Sequence, residues 1–388
     1  MGDTPALTNL PALVALRHDL HAHPELGLEE VRTSDLIARE LAAMGYRVTR
    51  GLAKTGIVAT LSHGTGRRSL GLRADIDALP IQEETGLPHA SRTPGRMHAC
   101  GHDGHTAMLL GAARALAERR RFDGTLHLIF QPAEENAGGA RIMIEEGLFE
   151  RFPCDAVFAL HNDPSMPAGT FAFRDGPVMA AVDEARIRLN GAGGHGSVPE
   201  LAADPIVAGA SLVMALQTIV SRNIPALDPA VVTIGAFQAG AVSNVIPSTA
   251  ELVIGIRAFT PDIRDEIERR LRLIAEGQAR SYGMTATVDY RRGYDPTINH
   301  AAETAFVRDI ATRFAGAERV RELARPQMVS EDFAFMLAAR PGSYFFLGGG
   351  RGDGDAPLHH PAYDFNDDLL PIGAAFWTEL AESYLKAD

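Results

Sequence analysis

Two residues of metal-binding type, Cys100 and His102, stand one glycine apart in the segment MHACGHDGH at 97–105. The pair alone is weak evidence for a metal site, because buried cysteines and histidines often have only a packing role. Other residues of metal-binding type come later in the chain, and a set of unrelated loop residues explains them poorly. These further candidates are Glu134, Glu135, His161, His359 and His360.

The further candidates stand where buried strands are predicted to end. Apolar runs at 125–131, 156–160 and 343–347 predict such strands, and each run ends before one or two of the candidates. In open α/β sheets, ligands and catalytic groups collect beyond the carboxyl ends of the strands. The sequence therefore predicts a metal site at this edge of a sheet.

The mixture of donors indicates which ions would bind. One thiolate, several imidazoles and a carboxylate suit borderline first-row ions such as Zn, Mn, Co or Ni better than Ca or Mg. The candidates outnumber the ligands of one catalytic zinc ion, so two ions that share a bridging ligand are the better interpretation. Of two adjacent glutamates, one can bind metal while the other takes a proton from metal-bound water and returns it to a leaving amine.

The elements that must position these residues alternate between helical and extended patterns. Apolar spacing predicts helices at 9–22, 30–44 and 105–120, and short apolar runs near 56–64 and 68–75 predict further strands. Buried strands that alternate with amphipathic helices indicate an α/β domain with a largely parallel sheet.

A different pattern occupies the middle of the chain. Helices predicted at 204–222 and 261–281 lie between extended runs, and together they give the order βαββαβ. This is a self-contained α+β unit of the ferredoxin-like type, with helices on one face of an antiparallel sheet. We therefore predict a catalytic domain in two parts, residues 1–182 and 295–388, with the α+β domain inserted at 183–294.

Length and composition set further bounds. The 388 residues exceed what one compact core usually holds, which favours two domains. The 37 Lys and Arg against 49 Asp and Glu give a formal charge of -12, which argues against nucleic acid and anionic membranes as partners. The N-terminal segment lacks a secretory-signal pattern, no uninterrupted apolar run reaches membrane-spanning length, and two cysteines give no disulfide framework. We expect a cytoplasmic enzyme.

Several motifs, in order and spacing, resemble those of the aminoacylase/carboxypeptidase family of dinuclear metallohydrolases. Within it, they are most similar to the branch of hippurate hydrolases, indole-acetyl-amino-acid hydrolases and N-acetyl-diaminopimelate deacetylases. The resemblance covers nearly the whole chain, from RHDLHAHPELGLEE at 17–30 to YDFND at 363–367. The motifs are MHACGHD, FQPAEE, the strand-ending His161, GAGGHG and LHHPAYDFND.

The resemblance implies roles for single residues of the metal site. Cys100 and His102 are metal ligands, with the thiolate as a bridge between the two ions. Glu134, the first glutamate of PAEE, is the general base and acid. The remaining implied ligands are Glu135, His161 and His359.

Neighbouring positions are left open. The family usually has Asn or Ser where this chain has His360, so His360 stays an alternate ligand candidate. Related carboxypeptidases carry His-x-Asp where this chain reads Asp75-Ile-Asp77. Asp75 is not expected to take over the ligand role of that histidine, and Asp77 either orients part of the site or only shapes a turn. His105, in the first turn of a helix, is expected to support the site at most.

The resemblance also implies that the inserted domain is a lid and a dimerisation module, in a homodimer or a homotetramer. His195, in the loop GAGGHG, would contact the substrate or the developing oxyanion, where a cationic imidazole lowers the barrier. Asn244 and Arg257 are candidates for holding the substrate carboxylate, which a guanidinium can bind bidentately. From the residues alone, His195 is an exposed turn residue and Arg257 a solvated strand residue.

The expected function is hydrolysis of the amide bond of N-acyl amino acids, of the hippurate, N-acetyl or indole-acetyl type. A metal-activated water would attack, with Glu134 as general base and acid and two divalent ions as cofactors, Mn or Zn first and Co or Ni as alternatives. One alternative is a cysteine amidase with Cys100 as nucleophile. Another is a binding protein on the same scaffold, although such a protein would be expected to have lost Glu134.

Overall fold

The computed structural model describes residues 10–352 and 354–386. Within them the chain divides into two compact units. The first unit takes in the chain up to Gly176, the segment Ile298–Arg325 and the chain from Asp332 onward, and the second takes in Pro177–Thr297 and Pro326–Glu331.

The positions at which the chain changes unit can be compared with the predicted domain boundaries. The inserted domain was predicted at 183–294, and the chain enters the second unit after Gly176 and leaves it after Thr297. A short later segment, Pro326–Glu331, also belongs to the second unit. Its sequence pattern had not indicated this, because six residues show no periodicity of their own.

Strands and helices alternate along most of the chain. The strands are β1 (Arg47–Leu52), β2 (Gly56–His63), β3 (Ser69–Asp75), β4 (Gly124–Gln131), β5 (Ala156–Pro167), β6 (Phe171–Phe173), β7 (Gly176–Met179), β8 (Ala181–Asn190), β9 (Gly194–His195), β10 (Ala230–Ala239), β11 (Val245–Ile246), β12 (Thr249–Ala258), β13 (Thr285–Arg292), β14 (Thr297–Asn299), β15 (Val320–Glu322) and β16 (Gly342–Gly350). The α-helices are α1 (Leu10–Ala22), α2 (Val31–Ala43), α3 (His102–Arg119), α4 (Gly139–Glu145), α5 (Leu148–Arg151), α6 (Pro205–Leu216), α7 (Pro261–Ser281), α8 (Ala301–Ala315), α9 (Phe333–Ala339) and α10 (Leu369–Tyr384).

The first unit is built around an eight-stranded sheet in the order β1-β2-β4-β3-β5-β16-β6-β15. The neighbouring strands β4, β3, β5 and β16 run parallel, and the antiparallel pairings lie toward the edges. Strands β3 and β16 are buried along almost their whole length, as their continuous apolar sequences require. The prediction of an α/β unit with a largely parallel sheet is confirmed.

The carboxyl ends of the parallel strands bring several polar residues to one edge of this sheet. Asp75 at the end of β3 is paired in register with Gln131 at the end of β4. On the next strands, His161 of β5 is paired with Phe346 of β16. Helix α3, which follows β3 after a long loop, begins near this edge, where Nδ1 of His105 lies 2.6 Å from Oδ1 of Asp75. Gly104 allows the ring of Phe365 to pack against α3, because a Cβ there would lie 2.4 Å from that ring.

The second unit has the order βαββαβ, formed by β8, α6, β10, β12, α7 and β13. The four strands form an antiparallel sheet in the order β10-β12-β8-β13. Buried residues alternate with less buried ones in β8 and β12, so each strand turns one face to the core. Leu212 of α6 and Ile267 and Leu271 of α7 are buried in that core. The predicted α+β unit is confirmed.

One stretch, Pro205–Asn223, is long and apolar enough by length and composition to cross a membrane, although polar residues such as Ser211 and Gln217 interrupt its apolar run. It consists of α6 and a turn of π-helix, Ile219–Asn223. Its buried residues, such as Leu212, pack in the core of the second unit. Its other face is exposed.

Candidate metal centre

The residues predicted to bind metal form one cluster at the edge of the first unit's sheet. Ligand atoms of Cys100, Glu135 and His359 lie within 4.8 Å of one another, and so do those of His102, Glu134 and Glu135. Glu135 belongs to both groups and therefore joins them.

Individual distances show how close the groups are. Oε1 of Glu135 lies 3.2 Å from Nε2 of His359 and 3.9 Å from Nε2 of His102. Sγ of Cys100 lies 3.4 Å from Nε2 of His161. All five predicted ligands, from four segments of the chain, thus meet in one place, with Glu134 beside them and only 6% exposed.

The glycine between Cys100 and His102 is required by the local geometry. Gly101 immediately precedes α3 and has a left-handed φ of 87°. A Cβ at this position would lie 2.4 Å from Oδ1 of Asn162 and 2.8 Å from the hydroxyl of Tyr363. Only glycine therefore allows the chain to turn from one candidate ligand to the next.

Backbone carbonyl groups fix the orientation of two candidate imidazoles. Nδ1 of His102 lies 2.9 Å from the carbonyl oxygen of Asp77, and Nδ1 of His161 lies 2.7 Å from that of Asn162. A carbonyl can only accept, so both Nδ1 atoms carry a proton, and in each ring Nε2 is the nitrogen left to bind a metal ion. Nε2 of His102 is buried and has no hydrogen-bond partner in the described part of the chain. A metal ion would satisfy it.

The electrostatics of the cluster also suit cations. Although burial disfavours its charged form, the carboxylates of Asp75, Asp77 and Glu135 raise the pKa of His102 to about 10. Burial and the carboxylates of Glu135 and Glu134 raise the pKa of the Cys100 thiol well above its usual value. The negative carboxylates thus favour the protonated forms of His102 and Cys100. The same negative charge favours the binding of divalent cations, which would replace those protons.

Asp77, which the sequence left as either an orienting residue or part of a turn, orients the site. Oδ1 lies 3.2 Å from Nδ1 of His102, and Oδ2 accepts the backbone N–H of Glu135 at 3.0 Å. Asp77 is buried, with 1% of its surface exposed. Metal-binding residues are commonly held by carboxylates in this way.

His105 and Asp75 form a supporting pair beside the cluster. Nδ1 of His105 lies 2.6 Å from Oδ1 of Asp75, and Nε2 lies 2.7 Å from Oδ1 of Asn162. The other oxygen of Asp75 accepts from Arg73 at 2.7 Å. Both nitrogens of His105 are thus engaged, although its ligand atoms group with those of Asp75, His102 and His161.

Asn162 is a residue of this site that the sequence did not predict. Besides its contact with His105, its side-chain N–H donates to the hydroxyl of Tyr363 at 2.6 Å. Its only signal in the sequence is its place directly after His161, at the predicted end of a strand.

The two histidines of LHHPAYD differ in their surroundings. His359 has a left-handed φ of 64°, and its side chain is 51% exposed while it contacts Glu135. His360 is exposed, and its Nδ1 accepts the N–H of Ala362 at 3.0 Å. Of the two, only His359 belongs to a group of candidate metal-binding residues.

The three predicted substrate-binding residues lie in the second unit, apart in the chain from the cluster. His195 is exposed in β9, and its Nδ1 accepts the N–H of Ser197 at 3.1 Å. Asn244 is exposed just before β11. Arg257 is partly buried in β12 and donates to the carbonyl oxygen of Ile256 at 2.9 Å. Their roles toward a substrate stay predictions.

A buried, acidic cluster of thiol, imidazole and carboxylate groups at the carboxyl edge of an α/β sheet defines a metallohydrolase type of site. The chain belongs to peptidase family M20/M25/M40, whose pattern matches residues 71–383. The family resemblance that the motifs indicated is thereby confirmed.

Individual relatives are similar over almost the whole chain. It is 43% identical over 371 residues to the hippurate hydrolase of Campylobacter jejuni, and the aligned region covers 96% of each chain. It is 38% identical over 382 residues to the IAA-amino acid hydrolase ILR1-like 5 of Arabidopsis thaliana, and the aligned region covers 96% of this chain and 86% of the Arabidopsis protein. The structure resembles that of the Bacillus subtilis YXEP protein, a dinuclear metal-binding peptidase, with a TM-score of 0.85, 35% identity and coverage of 97% and 98%.

Proposed function

We propose that this protein is a metal-dependent amidohydrolase that releases the amino acid from N-acyl amino acids. The observation that carries this proposal is the convergence of the five candidate ligands around the buried carboxylate of Glu134. Membership of the M20 family and the activities for which the relatives are named support it.

The residues of the cluster have two roles, metal binding and proton transfer. Cys100, His102, Glu135, His161 and His359 would hold two divalent cations. When bound, such ions lower the pKa of a water molecule and polarise the amide carbonyl. Glu134 takes the proton from the attacking water and returns it to the departing amine nitrogen.

The choice of ion follows from the donors. One thiolate with three imidazoles favours borderline ions, so we propose Mn or Zn, with Co or Ni able to replace them. Hippurate-like, N-acetyl and indole-acetyl amino acids are the proposed substrates. His195 would stabilise the developing oxyanion, and Asn244 and Arg257 would bind the substrate carboxylate.

The second unit offers a surface for a second copy of the chain. Helix α6 exposes Ile206, Val207 and Met214, and the adjacent edge strand β10 exposes Phe237. An apolar face beside an open strand edge is unfavourable in water. We propose that it forms the interface of a homodimer, with a homotetramer as the alternative. Both cysteines are free, which agrees with the cytoplasm as the proposed location.

A cysteine nucleophile is the second candidate, and one distance favours it, because Sγ of Cys100 lies 3.4 Å from Nε2 of His161. However, burial and the nearby glutamates raise the pKa of this thiol, and burial together with His105 holds the pKa of His161 well below its usual range. The pair is neutral, whereas a nucleophile needs a thiolate beside an imidazolium.

The test is to remove metal from the protein, restore Mn or Zn separately, and follow amino-acid release from N-benzoylglycine, N-acetyl amino acids and indole-acetyl amino acids. We expect metal-dependent release, and for Glu134→Gln a kcat lower by a factor of about 100 to 10,000 with unchanged metal content. Glu145→Gln, at an exposed glutamate of α4, is the control. Release without metal would favour the cysteine mechanism, and no release from any substrate would refute the proposed function.

A further inference from the structure

The proposed function leaves the motif RHDLHAHPELGLEE at 17–30 without a role. Its last residue, Glu30, is fully buried, with 0% of its surface exposed. It stands directly before α2, but its side chain does not cap that helix. Glu25 does so instead, because its carboxylate accepts the N–H groups of Arg32 and Thr33 at 3.0 and 2.8 Å. The start of α2 therefore does not require the Glu30 carboxylate.

The Glu30 carboxylate reaches the loop that follows β4. Oε1 accepts the backbone N–H of Ala133 at 2.9 Å, and Oε2 accepts the hydroxyl of Thr55 at 2.7 Å. Ala133 immediately precedes Glu134, the proposed general base. A residue about a hundred positions earlier in the chain thus contacts the peptide unit next to the reactive carboxylate.

Ala133 has a conformation that needs external support. Its φ is 54°, in the left-handed region that residues with a Cβ rarely adopt. Such a conformation costs on the order of 1 kcal/mol and persists where the surroundings determine it. The same motif also packs against Ala133 at Gly27, where a Cβ would lie 2.9 Å from both Cα and Cβ of Ala133. On the other side, the N–H of Gly139 donates to the Ala133 carbonyl at 3.1 Å.

Because the peptide unit is planar, the backbone angles of Ala133 determine where the side chain of Glu134 points. We propose that Glu30 is a positioning residue, which holds Ala133 in its left-handed conformation and so aims the Glu134 carboxylate at the reacting atoms. This inference rests on the proposed function, since it takes Glu134 as the base. Glu135 is held separately, through its N–H, by Asp77. Two buried carboxylates thus fix the two adjacent glutamates.

The test compares Glu30→Ala, Glu30→Gln and Glu25→Ala in the metal-loaded protein. Glu30→Ala removes the acceptor, so kcat should fall about 10- to 100-fold, as small misplacements of catalytic groups do, while KM changes less than about threefold. Metal content, measured by elemental analysis, should stay at the wild-type value. Glu30→Gln keeps an oxygen for the Ala133 N–H and should restore most of kcat. Glu25→Ala should lower the unfolding temperature and leave kcat unchanged.

Equal losses of kcat in Glu30→Ala and Glu25→Ala, or a loss of metal from Glu30→Ala, would overturn the positioning role. If Glu30→Ala does not fold, Thr55→Val removes the other hydrogen-bond partner of the Glu30 carboxylate. A severalfold lower kcat at constant KM in Thr55→Val would support the positioning role of Glu30, and an unchanged kcat would oppose it.

A crystal structure of a Glu30 variant gives a readout that does not depend on activity. Departure of Ala133 from positive φ in Glu30→Ala would support the inference, and an unchanged loop would refute it. If the wild-type protein hydrolyses no N-acyl amino acid, the proposed function fails, and this structural result still decides whether Glu30 controls the loop.

Discussion

Nδ1 of His102 lies 2.9 Å from the carbonyl oxygen of Asp77 and 3.2 Å from a carboxylate oxygen of the same residue. The other carboxylate oxygen accepts the N–H of Glu135. One buried side chain therefore orients two proposed ligands that belong to different segments of the chain.

Asp77→Asn keeps the carbonyl contact and the size of the side chain but removes its charge. Metal affinity should fall about 10- to 100-fold, as it does when supporting carboxylates are lost. Competition with a chromogenic chelator measures this affinity. Asp123→Asn is the matched control, because Asp123 accepts backbone N–H groups in a surface turn. Equal affinities of Asp77→Asn and wild type would show that Asp77 only shapes the turn.

Cys100→Ser replaces the proposed thiolate ligand by a hydroxyl group that stays protonated. Purified protein should contain less metal, and kcat/KM should fall by a factor on the order of 100 or more, because the ions supply several kcal/mol of transition-state stabilisation. Cys154→Ser, at the other buried cysteine, should leave the metal content unchanged. A variant that loses activity while it retains all of its metal would instead point to a nucleophilic Cys100.

Gly101→Ala tests whether the turn between the first two candidate ligands tolerates a side chain. The new Cβ would meet Asn162 and Tyr363, and the expected loss of stability is about 1 to 3 kcal/mol beyond the cost of the left-handed φ. Gly95→Ala is the control for that backbone cost, since Gly95 also has positive φ but no atom lies within 4 Å of the place that its new methyl group would take. Urea denaturation measures both variants, and equal losses would contradict the steric explanation.

The metal-free protein should lose stability as pH rises from about 4.5 to 7 because of Glu30. Burial raises the pKa of this carboxyl to about 7, although the hydrogen bond from Thr55 favours the charged form. The folded protein then retains a proton that the unfolded chain releases above about pH 4.5, so this contribution is present at low pH and is lost as pH rises toward 7.

Glu30→Gln cannot titrate at this position, so its stability relative to wild type should increase by up to about 3 kcal/mol between pH 5 and pH 8. Urea denaturation at both pH values, with chelator present, measures this difference. Glu25→Gln controls for the amide substitution. Parallel pH profiles of Glu30→Gln and wild type would disprove the assignment.

Met214→Glu should convert the proposed dimer to monomers. Met214 is 70% exposed on α6, and a charge buried in an apolar interface is strongly unfavourable. Sedimentation velocity measures the change. Val31→Glu, at an exposed apolar residue of the first unit, should leave the assembly intact. Dimers of Met214→Glu as stable as wild type would place the interface elsewhere.

The sequence located the candidate ligands because their positions follow a topological rule. Parallel strands end at the same edge of a sheet, so Glu135 after β4 and His161 in β5 had to lie near each other. The partners that fix their orientation were not predictable in this way. Contacts such as those of Asp77 and Asn162 depend on side-chain rotamers and on segments far apart in the chain, which no local pattern reveals.

Some elements of the fold were not predicted correctly from the sequence, for similar physical reasons. Strand β1 was not predicted, because it lies at the edge of the sheet and most of its residues are exposed or partly buried, which leaves no clear alternation. Helix α3 begins at His102 rather than at 105, because a left-handed glycine precedes it in place of a Ser, Thr, Asp or Asn cap. By contrast, α7 begins with Thr260 as cap and Pro261 in the first turn, and its predicted bounds agree with the structure.

The first unit is assembled from lengths of chain that precede and follow the second unit, and the candidate ligands come from both. His161 stands before the second unit in the chain, and His359 stands after it. Ions bound by both residues would cross-link the chain between His161 and His359, which is a very long loop. Closing such a loop removes much conformational freedom from the unfolded chain. Metal supply would then govern how long the protein survives proteolysis in the cell, as well as how fast it works.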